Sequence, residues 1–269
     1  MSAVLQLDKP RIRHSFAAAS ATYDGMAALQ RRVGDRLLQW QREERWQGTL
    51  LDLGCGTGFL TGKLLRYPGL QRVVALDIAL PMLQAVRSKW PSDDRLHCLC
   101  ADIESLPLPA DSVDGLFSNL ALQWCCDAPL LFQHLHAIVK PGGRMLFSTF
   151  GPGTLQELKA AWATVDEHVH VNRFLGQEEI RESLQRAGWQ HIELHRECNV
   201  SRYSGVLDLM RELKGIGAHN VNLGRRRALT GKGRLQRMIA AYEREHRDEG
   251  FIPATFEVMY VSAQAGDRR

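Results

Sequence analysis

The residues best suited to chemistry follow the first short apolar run of the chain. LLDLGCGTG, Leu50 to Gly58, ends a run at Asp52 and then sets Gly54, Gly56 and Gly58 at alternate positions. Glycines at the end of a strand let the backbone turn tightly and approach a ligand closely, and the following helix points its N-terminus at that ligand. A dinucleotide fingerprint needs its third small residue at position 59, where this chain has Phe59, so nicotinamide and flavin dinucleotides are disfavoured. Two acidic residues accompany the loop. Asp77 closes RVVALD about 20 positions on, where a carboxylate can accept from both hydroxyls of a ribose; it could instead cap a helix starting near Leu80. Asp102, in CLCADIESLPLPADSVD, follows the next apolar run and could equally be a loop residue bonded to its own backbone.

These residues need strands to carry them. TLLDL, RVVALD, RLHCLCAD, VDGLFSN and GRMLFSTF read as strands, with helical stretches between them near 59–66, 80–90 and 128–138. Alternation at this pitch predicts an α/β, Rossmann-like, doubly wound parallel sheet. The residues after the fourth strand, from Asn119 to Trp124, then fall at the switch point where ligands meet. VKPGG before the fifth strand is an architectural turn. Residues 1–46 read as a cover of N-terminal helices, 47–200 as the core, 201–250 as a helical lid inserted before the last strand, and 251–269 as that strand and a tail, all in one domain.

Composition bounds the classes. The chain has 269 residues, 45% hydrophobic and 24% charged, which excludes wholesale disorder. No apolar run approaches the ~18–20 residues of a membrane span, and the first residues lack a secretory pattern, so a cytoplasmic protein is expected. Six cysteines without a C-x-x-C pair or matching His spacing point to mostly buried thiols, with no disulfide or metal. The net charge of +4 conceals a cluster: from Arg211 to Arg237 eight basic residues face Glu212 alone, a local balance of +7. Such a patch suits an acidic partner, or is an ordinary solvated face. No zinc, helix-turn-helix or RNP-like pattern supports nucleic acid as that partner.

D-x-G-x-G-x-G resembles motif I of the class I methyltransferases that use S-adenosyl-L-methionine and release S-adenosyl-L-homocysteine. On that resemblance Asp52, Gly54, Gly56, Gly58, Asp77, Ile78, Asp102, Ile103 and Asn119 bind the cofactor, with Asp102 accepting from the adenine amino group and Ile103 supplying a backbone N–H. FAAASATYDGMAALQ, SNLALQWC, FSTFGPGTLQEL, LMRELKGIGAHN and IPATFEVMY resemble, more narrowly, the biotin-pathway malonyl-[acyl-carrier protein] O-methyltransferases over nearly the whole chain. One departure is Phe150, where an aliphatic residue is common. The resemblance implies methylation of the free carboxylate of a malonyl thioester, with acyl-carrier protein as partner, malonyl-CoA as a second acyl source, and no metal or membrane. The alternative is another small-molecule O- or C-methyltransferase.

A substrate carboxylate is already ionised, so the site needs alignment rather than a base. Tyr23, in ATYD, and Arg211, in MRELK, are the candidate catalytic donors; helix packing and a solvated charge are their plain alternatives. Gln123 and Trp124 could border the transferred methyl, or serve as core and cap. Lys214, one turn from Arg211, and Arg225, Arg226 and Arg227 are candidates for the acidic partner. Asn172, Arg173 and Phe174 are weaker candidates for the substrate side.

Overall fold

The computed structural model describes residues 7–40, 46–218 and 231–267. Three helices come first: α1 (Lys9–Ala19), α2 (Tyr23–Met26) and α3 (Ala28–Trp40). The core then runs β1 (Gly48–Leu53), α4 (Thr61–Leu64), β2 (Leu70–Asp77), α5 (Leu80–Lys89), β3 (Leu96–Cys100), β4 (Val113–Asn119), α6 (Ala128–Ile138) and β5 (Val139–Phe150). It closes with α7 (Gln156–Ala163), α8 (Gln177–Arg186), β6 (Trp189–Tyr203), α9 (Val206–Gly215), α10 (Lys232–His246) and β7 (Ile252–Ala265).

The five expected strands of the core and the expected last strand are present, with β6 beside it, in one sheet of order β3-β2-β1-β4-β5-β7-β6. The first five are parallel, while β7 runs antiparallel between β5 and β6, so the sheet is mixed rather than wholly parallel. The register sets Asp52 beside Ala75 and Phe117, Asp77 beside Cys100, and Asn119 beside Ser148. The carboxyl ends of β1, β2, β3 and β4 therefore form one rim, and the chain reverses its strand order between β1 and β4. Pro253 is tolerated in β7 because it pairs with β6 at Arg202, beyond the Val258–Gln264 stretch that pairs with β5; its missing N–H costs no ladder bond there.

Alternate residues of each central strand face opposite sides. Leu50, Phe117 and Tyr260 join the cluster built with Leu29, Val33 and Leu37 of α3, while Leu51, Leu116 and Met259 join the one built with Leu131 and Leu135 of α6. Leu29, Val33 and Leu37 lie four residues apart and hold α3 to the sheet; each such burial contributes roughly 1.5–3 kcal/mol.

The N-terminal segment is helical as expected, in three pieces: the chain turns at Ser20–Thr22 and again at Ala27, where the α2 cap N–H returns to Tyr23 O. Two expectations need correction. Only part of the 201–250 insertion is a cover. Met238, Ala241 and Tyr242 of α10 are buried in the main core, and the Tyr242 hydroxyl donates to Pro253 O at 2.7 Å. The cysteines are free but not mostly buried: Cys98, Cys100 and Cys198 are exposed, because they sit on the two edge strands β3 and β6. Among the described residues no helix is long and apolar enough to cross a membrane.

Candidate active site

The loop after β1 carries positive φ at Gly54 (69°), Gly56 (55°) and Gly58 (86°). At Gly54 a side chain would also fall on the Ala121 methyl, so this turn approaches the end of β4 as closely as a backbone can. The Gly54 and Cys55 N–H groups both donate to Leu76 O, at 2.8 and 2.9 Å. The Gly56 N–H donates to Asp77 Oδ2 at 3.0 Å, and the Ala79 N–H to Asp77 Oδ1 at 2.8 Å. Asp77 therefore ties the glycine loop to the start of α5 and still has an acceptor lone pair on each oxygen. Burial pushes its carboxyl up to about 6, against the pull of those N–H groups. Asp52 is 2% exposed, accepts from Thr61 Oγ1 at 2.6 Å, and is pushed up to about 7 by burial and then by Asp77.

A cleft of about 600 Å³ opens over this rim. Gly54, Gly56, Asp77, Ile78, Asp102, Ile103 and Asn119 line it, so the structure brings together seven of the nine expected cofactor residues. Asp52 and Gly58 lie behind the loop: Asp52 braces Thr61, and Gly58 packs on Val86 and Trp90. Ile78, Met82 and Ile103 give the cleft an apolar slot beside the two carboxylates.

Helix α1 roofs the cleft, contributing Lys9, Ile12 and Phe16. Lys9 Nζ donates to Asp102 Oδ1 at 3.0 Å and also pairs with Glu104. Glu104 Oε1 accepts from the Cys126 and Asp127 N–H groups at 2.8 and 3.0 Å. Asp102 also accepts from the Glu104 N–H at 3.1 Å, so it is at once a loop residue and an anchor for the roof. Phe16 meets Trp124 edge-on at 5.4 Å. The Tyr23 ring lies over Gly56, about 3.6 Å from where a Cβ would stand. Burial and the nearby Asp77 push its phenol well above the ordinary value, so it stays protonated and can donate.

A second cavity, of about 660 Å³, meets the first at Trp124, which lines both. It is assembled from distant segments: Leu29 and Gln30 of α3, Phe150 at the end of β5, Leu155, the 170–174 stretch, Leu213 of α9 and Phe256 of β7. Its walls are mainly apolar, and Phe150 meets Phe174 and Phe256 at 5.6 and 5.8 Å. The unusual residue at position 150 is thus a wall of this cavity. The polar groups are three amides, the Thr154 hydroxyl, the His170 imidazole and the Glu212 carboxylate. Gln123 donates through Nε2 to Leu120 O at 2.6 Å and accepts from Thr149 Oγ1 at 3.4 Å. Gln30 Oε1 is buried with no hydrogen-bond partner. His170 stacks on Trp162 at 3.7 Å and bonds Asp166 Oδ1 through Nε2 at 2.7 Å. Among the described residues, the ionisable side chains lining this cavity are His170 and Glu212; no Lys or Arg does.

The segments GPGTLQEL and IPATFEVMY interlock beside it. Thr154 Oγ1 donates to Glu257 O at 3.0 Å and accepts from the Glu257 N–H at 3.1 Å, while Glu257 Oε2 accepts from the Gly153 N–H at 2.5 Å. Leu155 is held at φ 54° with its N–H on Thr255 O at 2.6 Å, which presents its side chain to the cavity. This clamp explains why the two segments accompany each other.

Arg211 does not reach either cavity. Its side chain is 65% exposed on α9 and pairs with Asp208, three residues away. Lys214 is likewise exposed, because Leu209, Leu213 and Ile216 take the inward face of that helix. Arg225, Arg226 and Arg227 lie outside the described residues. Asn172 and Phe174 line the second cavity, while Arg173 turns out to Glu179 at 2.5 Å. Sequence reasoning missed Lys9, Ile12, Phe16, Gln30 and His170. Phe16 and Gln30 stand at the two ends of FAAASATYDGMAALQ, a segment singled out for its resemblance, and Lys9, Ile12 and His170 in none.

Residues 51–147 match the family described as Methyltransferase domain. A malonyl-[acyl-carrier protein] O-methyltransferase of Methylovorus sp. (strain MP688) is 44% identical over 264 residues, covering 96% of this chain and 89% of that protein. A biotin biosynthesis bifunctional protein BioHC of Cellvibrio japonicus is 45% identical over 255 residues, covering 95% of this chain but only 50% of that longer protein. Among solved structures, the YcgJ protein of Bacillus subtilis superposes with a TM-score of 0.63 at 14% identity, covering 88% of this chain and 100% of that one. Phosphoethanolamine N-methyltransferase 2 of Haemonchus contortus, solved with S-adenosyl-L-methionine, does so at 0.59 and 16% identity, covering 93% and 57%. At these identities the two structures share the fold.

Proposed function

The chain belongs to the malonyl-[acyl-carrier protein] O-methyltransferase family, and from that premise we propose that it moves the methyl group of S-adenosyl-L-methionine to the free carboxylate of malonyl-acyl-carrier protein, the ester then serving biotin synthesis. The observation that carries this reading is the meeting of two cavities at Trp124, one rimmed by carboxylates and glycine backbone, the other mainly apolar and lined by no Lys or Arg among the described residues. A reading as another small-molecule methyltransferase is not favoured, since relatives at 41–44% identity over nearly the whole chain share the carrier-protein name.

The cleft fits the cofactor on its own geometry. Asp77 has free lone pairs for two ribose hydroxyls, and the slot of Ile78, Met82 and Ile103 beside Asp102 suits an adenine ring and its amino group. Tyr23, protonated and lying over Gly56, is assigned as a donor at the amino-acid end. When bound, S-adenosyl-L-methionine supplies an electrophilic methyl on a sulfonium.

The rest falls to this chain's residues. A malonyl carboxylate is ionised near neutral pH, so no side chain has to remove a proton. The second cavity must align one carboxylate oxygen toward Trp124 and keep water out, which its aromatic walls serve. Gln30 is assigned as the main carboxylate ligand: a half-turn of its amide exchanges the unpartnered Oε1 for an N–H₂ donor. Asn172, Gln123 and His170 line the same space. Neutral donors hold a carboxylate less tightly than a bidentate guanidinium does. That is an advantage here, because charge disperses on the way to the transition state and an over-stabilised ground state slows transfer. Glu212 repels the carboxylate from the far end and so leaves that end to the thioester. We assign Lys214 and Arg225–Arg227 to contact with the acidic carrier, outside the chemical step.

The test is a methyl-transfer assay with purified protein. Malonyl-carrier protein is expected to give methyl ester at a rate that falls with added salt, with free malonate at least 100-fold poorer. Ester formation from free carboxylic acids but not from malonyl thioesters would overturn the reading.

A further inference from the structure

An open groove of about 970 Å³ lies on the other side of the second cavity, along the edge strand β6. Asn199, Val200 and Ser201 form its floor, and Arg32 of α3 and Arg202 stand at its sides. Leu29 and Glu212 line both this groove and the inner cavity, so a single layer of side chains separates the two. Tyr203 closes that layer by donating its hydroxyl to Glu212 Oε1 at 3.1 Å.

Two features of the groove, at Arg32 and Asn199, have no structural use in the fold. Arg32 is exposed and makes no ion pair among the described residues. Arg202 is 59% exposed and only loosely bridged, to Asp248 at 3.9 Å and Glu249 at 3.6 Å. Asn199 Nδ2 is buried without a hydrogen-bond partner, which costs roughly 1–3 kcal/mol unless a ligand accepts from it. Val200, between them, leaves 59% of its surface exposed on an edge strand that proteins usually protect. An unpaired guanidinium and an unsatisfied amide donor, set in an open groove, suit a flexible chain carrying one phosphodiester and several amide carbonyls.

We propose that this groove receives the phosphopantetheine arm of the acylated carrier protein, with Arg32 at the phosphodiester and Asn199 donating to an amide carbonyl of the arm. Tyr203, Glu212 and Leu29 form the gate through which the malonyl thioester reaches Gln30 and Trp124. The inference rests on the carrier-protein reading above. It gives the acyl chain a direction: carboxylate inward past Glu212, thioester at the gate, phosphate in solvent.

The test compares substrates that share the malonyl thioester but differ in the arm. The full chain is assayed with malonyl-carrier protein and with malonyl-N-acetylcysteamine, which lacks the phosphate and most of the arm. For Arg32→Glu, the ratio of kcat/KM for the carrier substrate to that for the truncated thioester is expected to fall at least tenfold relative to the unsubstituted protein. Asn199→Ala is expected to lower it three- to tenfold. As a second measurement, free 4′-phosphopantetheine should inhibit methylation of malonyl-carrier protein, with an inhibition constant at least tenfold weaker for Arg32→Glu. S-adenosyl-L-homocysteine binding reports folding of each variant, and Arg32→Gln replaces Arg32→Glu if the latter fails it. Ratios within twofold of the unsubstituted protein, together with equal inhibition by phosphopantetheine, would overturn the groove while leaving the methyltransferase reading intact; that pattern would point to a second chain or another protein strand on this edge. No ester from any malonyl thioester would instead defeat the functional reading, and this inference with it.

Discussion

The two cavities that meet at Trp124 are built on different principles. The cleft over the glycine loop is made by backbone and two carboxylates delivered by the ends of successive parallel strands. The cavity behind it is made by side chains from at least five separated segments, among them α3, β5, α9 and β7. The first is rigid because its N–H groups are committed: Gly54 and Cys55 to Leu76, Gly56 to Asp77. The second holds an unpartnered amide oxygen and no basic side chain among the described residues lining it. A site that must bind the same nucleoside in many proteins can be fixed by the strand-to-helix turn; a site for one acyl group must be shaped locally.

The sharpest way to break the contrast is at Gly54. Gly54→Val puts a branched side chain at φ 69° and onto Ala121, so S-adenosyl-L-homocysteine affinity by calorimetry should fall at least 100-fold, about 2.8 kcal/mol. An effect below tenfold would show that the loop is not held as described.

Next is the pH dependence of the cleft. Asp77 in the folded protein holds its proton up to about 6, whereas an unfolded carboxyl loses it near ~3.9. The folded chain therefore binds more protons in that window, and the contribution of Asp77 to stability is present at low pH and lost as pH rises from about 4 through 6. Cofactor affinity should move the opposite way, because a ribose needs the carboxylate. It should weaken toward tenfold per pH unit below 6, and Asp77→Asn should flatten that slope.

The second cavity is probed at Gln30. Gln30→Leu keeps the volume and removes the amide, so KM for malonyl-carrier protein should rise about tenfold, roughly one charge-assisted hydrogen bond, with S-adenosyl-L-homocysteine affinity changed less than twofold. Equal losses on both ligands would mean that the two cavities are not separable.

The smallest effect is expected at Arg211. Exposed and paired with Asp208, it should tolerate Arg211→Ala with kcat/KM for malonyl-carrier protein within about twofold. A tenfold loss would bring its guanidinium back into the site and contradict the neutral carboxylate ligands assigned above.

Legibility in the sequence follows the same division. The five parallel strands and the cofactor rim were readable because a parallel strand, its glycine turn and its terminal acid are neighbours in the chain. Phe59 at the dinucleotide position was informative for the same reason: a loop one residue shorter has a different backbone path. Lys9 was not readable, since its partners Asp102 and Glu104 lie more than ninety residues away. Arg211 looked suitable by type and spacing, yet α9 turns Leu209 and Leu213 inward and Arg211 outward. The insertion read as a lid because it is helical in tendency and falls before the last strand, but Tyr242 and Met238 give α10 an apolar face that the core buries.

The sequence by itself determined the sheet, the glycine loop and the acids at its rim, because those depend on local periodicity and on the φ values that only glycine adopts freely. The tertiary structure alone decided which residues line the second cavity, that α1 is the N-terminal helix over the cleft, and that Gln30 and Asn172 rather than Arg211 line the second cavity. Those choices depend on helix rotation and on contacts between segments far apart in the chain, and a small turn of one amphipathic helix is enough to exchange its solvent face for its buried one.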